Sequence, residues 1–211
     1  VGRSKVWQMV VLGASGAVIA SAAVGVLPDI AGAWTARSSG CHFGSNQDDD
    51  GLGIGFSPTN AEPNRRANTE NGAWGWNQSV SSQWSIVGFN SPTQDVKVLY
   101  SWASNSWYAN TTGECLNGVY HDDPEFRWNL NQSMSQFFPN GPYQDYKYET
   151  GVAVHELGHA YGLGHVDSAG CGSQQWNAGI MNSWPPIKTN ECGWWQYPVY
   201  DDVQGWKAIH P

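Results

Sequence analysis

Three of the chain's six histidines fall in one stretch, HELGHAYGLGH, running from His155 to His165. Positions four apart on a helix lie on one face, one turn apart, so His155 and His159 can present two imidazoles to a single metal ion. Glu156 projects beside that face. It is too far round to be a third close ligand but is placed to reach a water on the metal. Gly162 comes three residues after His159, where the helix should stop, and a glycine there takes the left-handed backbone that turns the chain sharply. The turn returns His165 as a third ligand. Three neutral nitrogens with an open fourth position describe a catalytic rather than a structural zinc site. Zinc so held lowers the pKa of its water to about 7 and polarises a carbonyl oxygen. Glu156 is then the base that takes the water's proton and passes it to a leaving amine. A helix with three ordinary histidines is the bland alternative, and five fixed positions matching at once argue against it.

HExxHxxGxxH is the signature of the metzincin clan of zinc endopeptidases, and this chain resembles that clan through the full motif. The resemblance implies a methionine turn beneath the metal, for which Met181 in GIMNSW (179–184) is the candidate. The closing YDDVQGWKAIH looks like the end of a matrixin catalytic domain. That likeness implies that one of Asp201 and Asp202, with Asp202 preferred, hydrogen-bonds the methionine turn; a helix N-terminal charge is its plain local role. The implied fold is α+β and zincin-like. It has a twisted mixed sheet, an active-site helix, and a small C-terminal subdomain ending in a helix, divided as 34–164 and 165–211. The implied partner is a polypeptide bound as an added strand on the sheet edge, with EFRWNLN (125–131) the candidate edge.

The sequence also departs from the clan. Ser183 stands near where astacin-like and serralysin-like members carry a tyrosine, which favours the matrixin side. Asn182-Ser183-Trp184-Pro185-Pro186 replaces the proline and tyrosine that wall the matrixin pocket, so the pocket shape does not carry over. Cys41, in SGCHFGS, is not in a cysteine-switch motif. Trp184, Trp194, Trp195 and Tyr197 follow Met181, where clan members build substrate pockets. They either line a cleft for large apolar side chains or pack beneath a disulfide-tied loop.

The elements that must position these groups are legible more coarsely. A chain of 211 residues suits one domain. Its formal charge of −8, with ten scattered Lys and Arg, excludes a nucleic-acid partner. Charged residues make up only 13%, as in a secreted, loop-rich protein. Arg3 and Lys5 precede an apolar run from Val6 to Leu27, and Ala31-Gly32-Ala33 offers a cleavage site, so residues 1–33 are expected to be an export signal. A retained membrane anchor is the minor alternative. Removing Arg3, Lys5 and Asp29 takes 10 basic and 18 acidic residues to 8 and 17, leaving the 34–211 catalytic domain at −9. Cys41, Cys115, Cys171 and Cys192 allow three pairings, of which Cys41–Cys115 with Cys171–Cys192 is the most local. A secreted monomer with no stable membrane partner is expected.

Strands are expected at DGLGIGF (50–56), WSIVGFN (84–90), DVKVLYSWA (95–103) and EFRWNLN. One helix should start at an Asn68/Thr69 cap and carry Trp76, Val80 and Trp84 on one face. A second covers 149–163, and a third 201–210 with Asp201 as N-cap and Gln204 as its box partner. Trp76, Trp84, Trp102, Trp128 and Trp206 are expected in the core. One catalytic zinc is the expected cofactor. Asn46, Asp48, Asp50 and Gly51 begin a calcium loop whose twelfth position, Ser57, breaks the pattern. His121 and Asp123 are too few for a second zinc. A zinc endopeptidase is the leading reading, ahead of a non-catalytic aromatic-rich binding module and a zinc amidase acting on a non-protein amide.

Overall fold

The computed structural model describes residues 35–36, 41–43, 51–58, 62–80, 84–133, 145–165, 180–181, 197–198 and 200–210. Residues 1–33, Asn46, Asp48, Asp50, Cys171, Cys192, Trp184, Trp194 and Trp195 lie outside them. The chain divides into two units, Val1–Gly32 and Ala33–Pro211, and all described residues belong to the second.

Its centre is a mixed sheet of five strands in the order β3-β2-β4-β8-β5. These are β2 (Leu52–Phe56), β3 (Trp84–Val87), β4 (Val96–Ser101), β5 (Ala109–Thr112) and β8 (Glu125–Asn129). The pairs β2–β3, β2–β4 and β4–β8 are parallel, and β5 runs antiparallel to β8. Every residue of β2 is buried, as a strand flanked on both sides by parallel neighbours requires. In β4, Val96, Val98 and Tyr100 are buried and the residues between them half-buried, the period of two that the sequence carries. Two short ladders complete the strands. One pairs β6 (Cys115–Leu116) with β7 (Val119–Tyr120), and the other pairs β1 (Thr35–Ala36) with β9 (Leu163–Gly164).

The expected strands thus form, with one correction of place. EFRWNLN is not the edge: β8 sits between β4 and β5, and the polar strand ANTT of β5 takes the edge beside it. Phe126 and Trp128 are fully buried, as an interior strand demands.

Helix α1 (Pro63–Ser79) starts earlier than the Asn68/Thr69 cap and ends before Trp84, which instead opens β3. Pro63 is the reason: a proline in the first turn has its φ preset and lacks only an N–H that would go unpaired anyway. Asn68 and Thr69 are then free for other duties inside the helix, and both are buried. Helix α2 (Asp145–Ala160) likewise begins before Glu149. Helix α3 (Tyr200–Ile209) includes Asp201 in its first turn rather than as its cap.

The core lies between the sheet and α1 and α2. Gly72 lets those helices approach closely, since a Cβ there would stand 2.8 Å from the Ala153 Cβ and 3.0 Å from the Val154 nitrogen. Trp76, Trp84, Trp128 and Trp206 are buried as expected, but Trp102 is 66% exposed. It follows the last residue of β4, where the alternation of that strand no longer dictates a face. A buried polar network joins α1 to α2. Glu149 accepts from Tyr108 Oη at 2.5 Å, from Asn68 Nδ2 at 2.7 Å and from Arg65 Nε at 3.4 Å. Arg65 Nη1 also donates to the Asn129 carbonyl at 2.8 Å, so α1 and α2 are tied to the end of β8.

Candidate metal centre

Helix α2 carries the histidines, and donors from three elements seize its backbone carbonyls. Trp76 Nε1 donates to Val154 O, Thr111 Oγ1 to Glu156 O, and Tyr120 Oη to His159 O, each at 2.9 Å. A helical carbonyl has a second lone pair beyond the one its helix uses, so these bonds add to the ladder rather than break it. Together they fix the rotation of α2 about its own axis, which decides where its imidazoles point. Leu157, Val154 and Ala160 face the core and are fully buried.

The helix stops where the sequence says it should. Gly162 has φ of +98°, and its N–H closes a tight turn onto His159 O at 3.0 Å. Only glycine suits the position, because a Cβ would run into the Cys41 carbonyl. The chain then reverses through β9 and delivers His165.

The result is a convergence of three Nε2 atoms. His155 Nε2 lies 3.2 Å from His165 Nε2, and His159 Nε2 lies 3.0 Å from it. All three ligand atoms fall within 4.8 Å of one another, and this is the one such group of three among the described residues. The other ring nitrogens explain the tautomers. His155 Nδ1 is 2.7 Å from Ile180 O, and His159 Nδ1 is 2.7 Å from Leu163 O. A carbonyl can only accept, so both Nδ1 atoms carry the proton and both Nε2 atoms present lone pairs. Burial pushes the His155 imidazole below its ordinary pKa, partly offset by the Ile180 carbonyl, which favours the neutral ring a metal needs.

These donors fit a metal ion. Bonds of about 2.0–2.1 Å in a tetrahedral site set neighbouring nitrogens about 3.3–3.4 Å apart, close to the 3.2 and 3.0 Å that separate His165 Nε2 from its two neighbours. Glu156, adjacent to His155 on the helix, is buried at 6% exposure. His159 is buried, His155 half-buried and His165 exposed, so the cluster opens to solvent on the His165 side.

Beneath the cluster, Met181 is buried, and its Sδ occupies the space a side chain at Gly158 would need. Asp202, also buried, accepts from the Ile180 N–H at 3.0 Å. The Ile180 and Leu163 carbonyls that orient the imidazoles left no mark in the sequence, since a main-chain acceptor has no residue signature. Tyr120 and Thr111 were also missed: each is far from the motif in sequence, with no spacing to connect it.

The other candidates assemble less. Tyr197 is 46% exposed and meets Trp74 edge-on at 5.7 Å between ring centroids; the tryptophans expected beside it lie outside the described residues. His121 is exposed and its ring lies 3.6 Å from Asp122, while Asp123 pairs with Lys97 at 3.3 Å. Gly51 has the positive φ, +78°, that suits a turn. Cys41 and Cys115 form a disulfide, as in proteins of oxidising compartments. No helix among the described residues is long and apolar enough to cross a membrane.

No protein-family model matches the chain. No curated protein matches it either. Among solved structures it is similar to "GM1 bound form of the ECX AB5 holotoxin", at a TM-score of 0.48 and 11% identity over 84% of each chain. It is also similar to "Structure of Myroilysin", at a TM-score of 0.35 and 14% identity over 62% of this chain and 45% of that one. Likeness at this level says nothing of activity.

Proposed function

We propose that the chain is a secreted zinc-dependent endopeptidase of the matrixin-like metzincin kind, acting on polypeptides as a monomer. The single observation that carries this reading is the convergence of His155, His159 and His165 through Nε2, with two of the Nδ1 atoms committed to main-chain carbonyls. His155, His159 and His165 would hold the ion, and a zinc ion bound there supplies an acidified water and polarises the scissile carbonyl. Glu156 follows His155 directly and receives the proton from the attacking water, then returns it to the departing amine. Its burial keeps bulk water from competing for that proton.

The chain's own scaffold supports a peptide substrate. Thr111 of β5 bonds the carbonyl of Glu156, so this edge strand of the described sheet runs beside the base. An extended peptide added to β5 brings its backbone past the cluster, with affinity from main-chain hydrogen bonds. Met181 and Asp202 support the floor of the site, the first by filling the hollow at Gly158 and the second by holding Ile180.

The test is to incubate the zinc-loaded chain with an unfolded polypeptide, and separately with a non-protein amide of the cell-wall kind, and to identify products by mass spectrometry. New peptide termini from the first substrate alone support the endopeptidase. Cleavage of the second alone makes the chain an amidase, and cleavage of neither with zinc bound points to a binding module.

A further inference from the structure

Of the three histidines, His165 alone lies beyond the helix; its ring meets those of His155 and His159, and its main chain is set by the strand before it. What precedes it is β9, and β9 is braced by residues more than a hundred positions earlier. Thr35 of β1 lies opposite Gly164 and Ala36 opposite Leu163, so the ladder ends immediately before His165. Cys41 then sets its carbonyl into the hollow of Gly162. The main chain of His42 is bonded on both sides to the β6–β7 hairpin, its N–H donating to Gly118 O and its carbonyl accepting from Tyr120 N, each at 3.0 Å. A disulfide from Cys41 to Cys115 fastens the same segment to that hairpin across 74 positions of sequence. The hairpin in turn grips α2, through Tyr120 Oη on the His159 carbonyl.

Residues 35–36 and 41–43 thus each touch the same assembly: α2, the hairpin, the disulfide, the Gly162 turn and β9. We infer that residues 35–36 and 41–43, tied down by Cys41–Cys115, are the positioning brace of the third ligand, and that metal affinity depends on them. The inference rests on the reading of the histidine cluster as a metal site. Leu163 strengthens it, because its carbonyl orients His159 and its partner in the ladder is Ala36. Loosening the brace disturbs one ligand and the orientation of a second, while His155 stays where α2 and Ile180 put it. Groups that orient ligands in this way typically contribute about 10–100-fold to metal affinity.

Cobalt(II) is the probe, titrated into the metal-free full chain and followed by its visible absorption, which falls when a nitrogen ligand of a four-coordinate site is lost. Two variants break the brace differently. Cys41→Ser with Cys115→Ser removes the covalent tie, and Thr35→Pro with Ala36→Pro removes the ladder donors but keeps the disulfide. Each is also combined with His165→Ala. Both brace variants are expected to bind cobalt at least about tenfold more weakly with reduced visible absorption. In them, His165→Ala should cost little more, although it costs heavily in the parent chain. Binding within about twofold of the parent, or a full His165→Ala effect in the braceless chains, overturns the inference. If the serine pair melts in its metal-free form, the proline pair decides by the same criteria. A parent chain that binds no cobalt, with His155→Ala changing nothing, overturns the metal reading and this inference together.

Discussion

The main-chain N–H of Ile180 donates to Asp202 Oδ2 at 3.0 Å, and the carbonyl of the same residue holds His155 Nδ1 at 2.7 Å. One carboxylate on α3 thereby holds the residue whose carbonyl orients a proposed metal ligand. Asp202→Ala leaves a buried N–H unpaired, which costs about 1–3 kcal/mol, more for a charge-assisted bond. It is also expected to weaken zinc binding by about tenfold. Thermal melts of the metal-free chain and competition against a chelator measure the two effects separately. Lost stability with unchanged affinity would show that Asp202 serves the fold alone.

Gly72 sits where α1 crosses α2. Alanine is the better helix former by about 1 kcal/mol, but its Cβ would meet the backbone of Ala153 and Val154, which cannot move aside as a side-chain tip can. Overpacking at about 1–3 kcal/mol should win, so Gly72→Ala is expected to lower the urea midpoint. A raised midpoint would mean the helices can separate freely.

The Arg65–Glu149 pair has side chains only 10% and 11% exposed, so removing one partner strands a charge. Glu149→Ala is expected to cost about 3–5 kcal/mol in chemical denaturation. A loss under about 1 kcal/mol, the range of exposed pairs, would contradict the buried network.

The same network predicts a behaviour at high pH. Burial, with the Glu149 carboxylate beside it, pushes the Tyr108 phenol well above its ordinary value, against a smaller opposing effect of Arg65. The folded chain keeps this proton where the unfolded chain loses it. Tyr108 therefore contributes stability that is intact below about pH 10 and falls away as pH rises past it. Tyr108→Phe should flatten that part of the stability profile. A profile identical to the parent's would remove Tyr108 as the cause.

The histidine cluster was legible in sequence because its members are local. Helical spacing sets His155 and His159, and one glycine sets the return of His165. What orients them was not legible, since Ile180 and Leu163 act through carbonyls and Tyr120 through a distant hairpin. The start of α1 was misplaced because Asn68 and Thr69 look like caps, yet Asn68 bonds Glu149 and Thr69 receives the Trp128 indole N–H at 3.0 Å. The edge strand was misplaced for a similar reason. ANTT lacks the apolar alternation by which strands are recognised, while EFRWN, which carries it in Phe126 and Trp128, is interior.

The most direct test measures zinc content and cleavage of an unfolded protein together, on the parent chain and on Glu156→Gln. The account predicts one zinc per chain in both and cleavage by the parent alone. Absence of zinc from both, or equal cleavage by both, would contradict it.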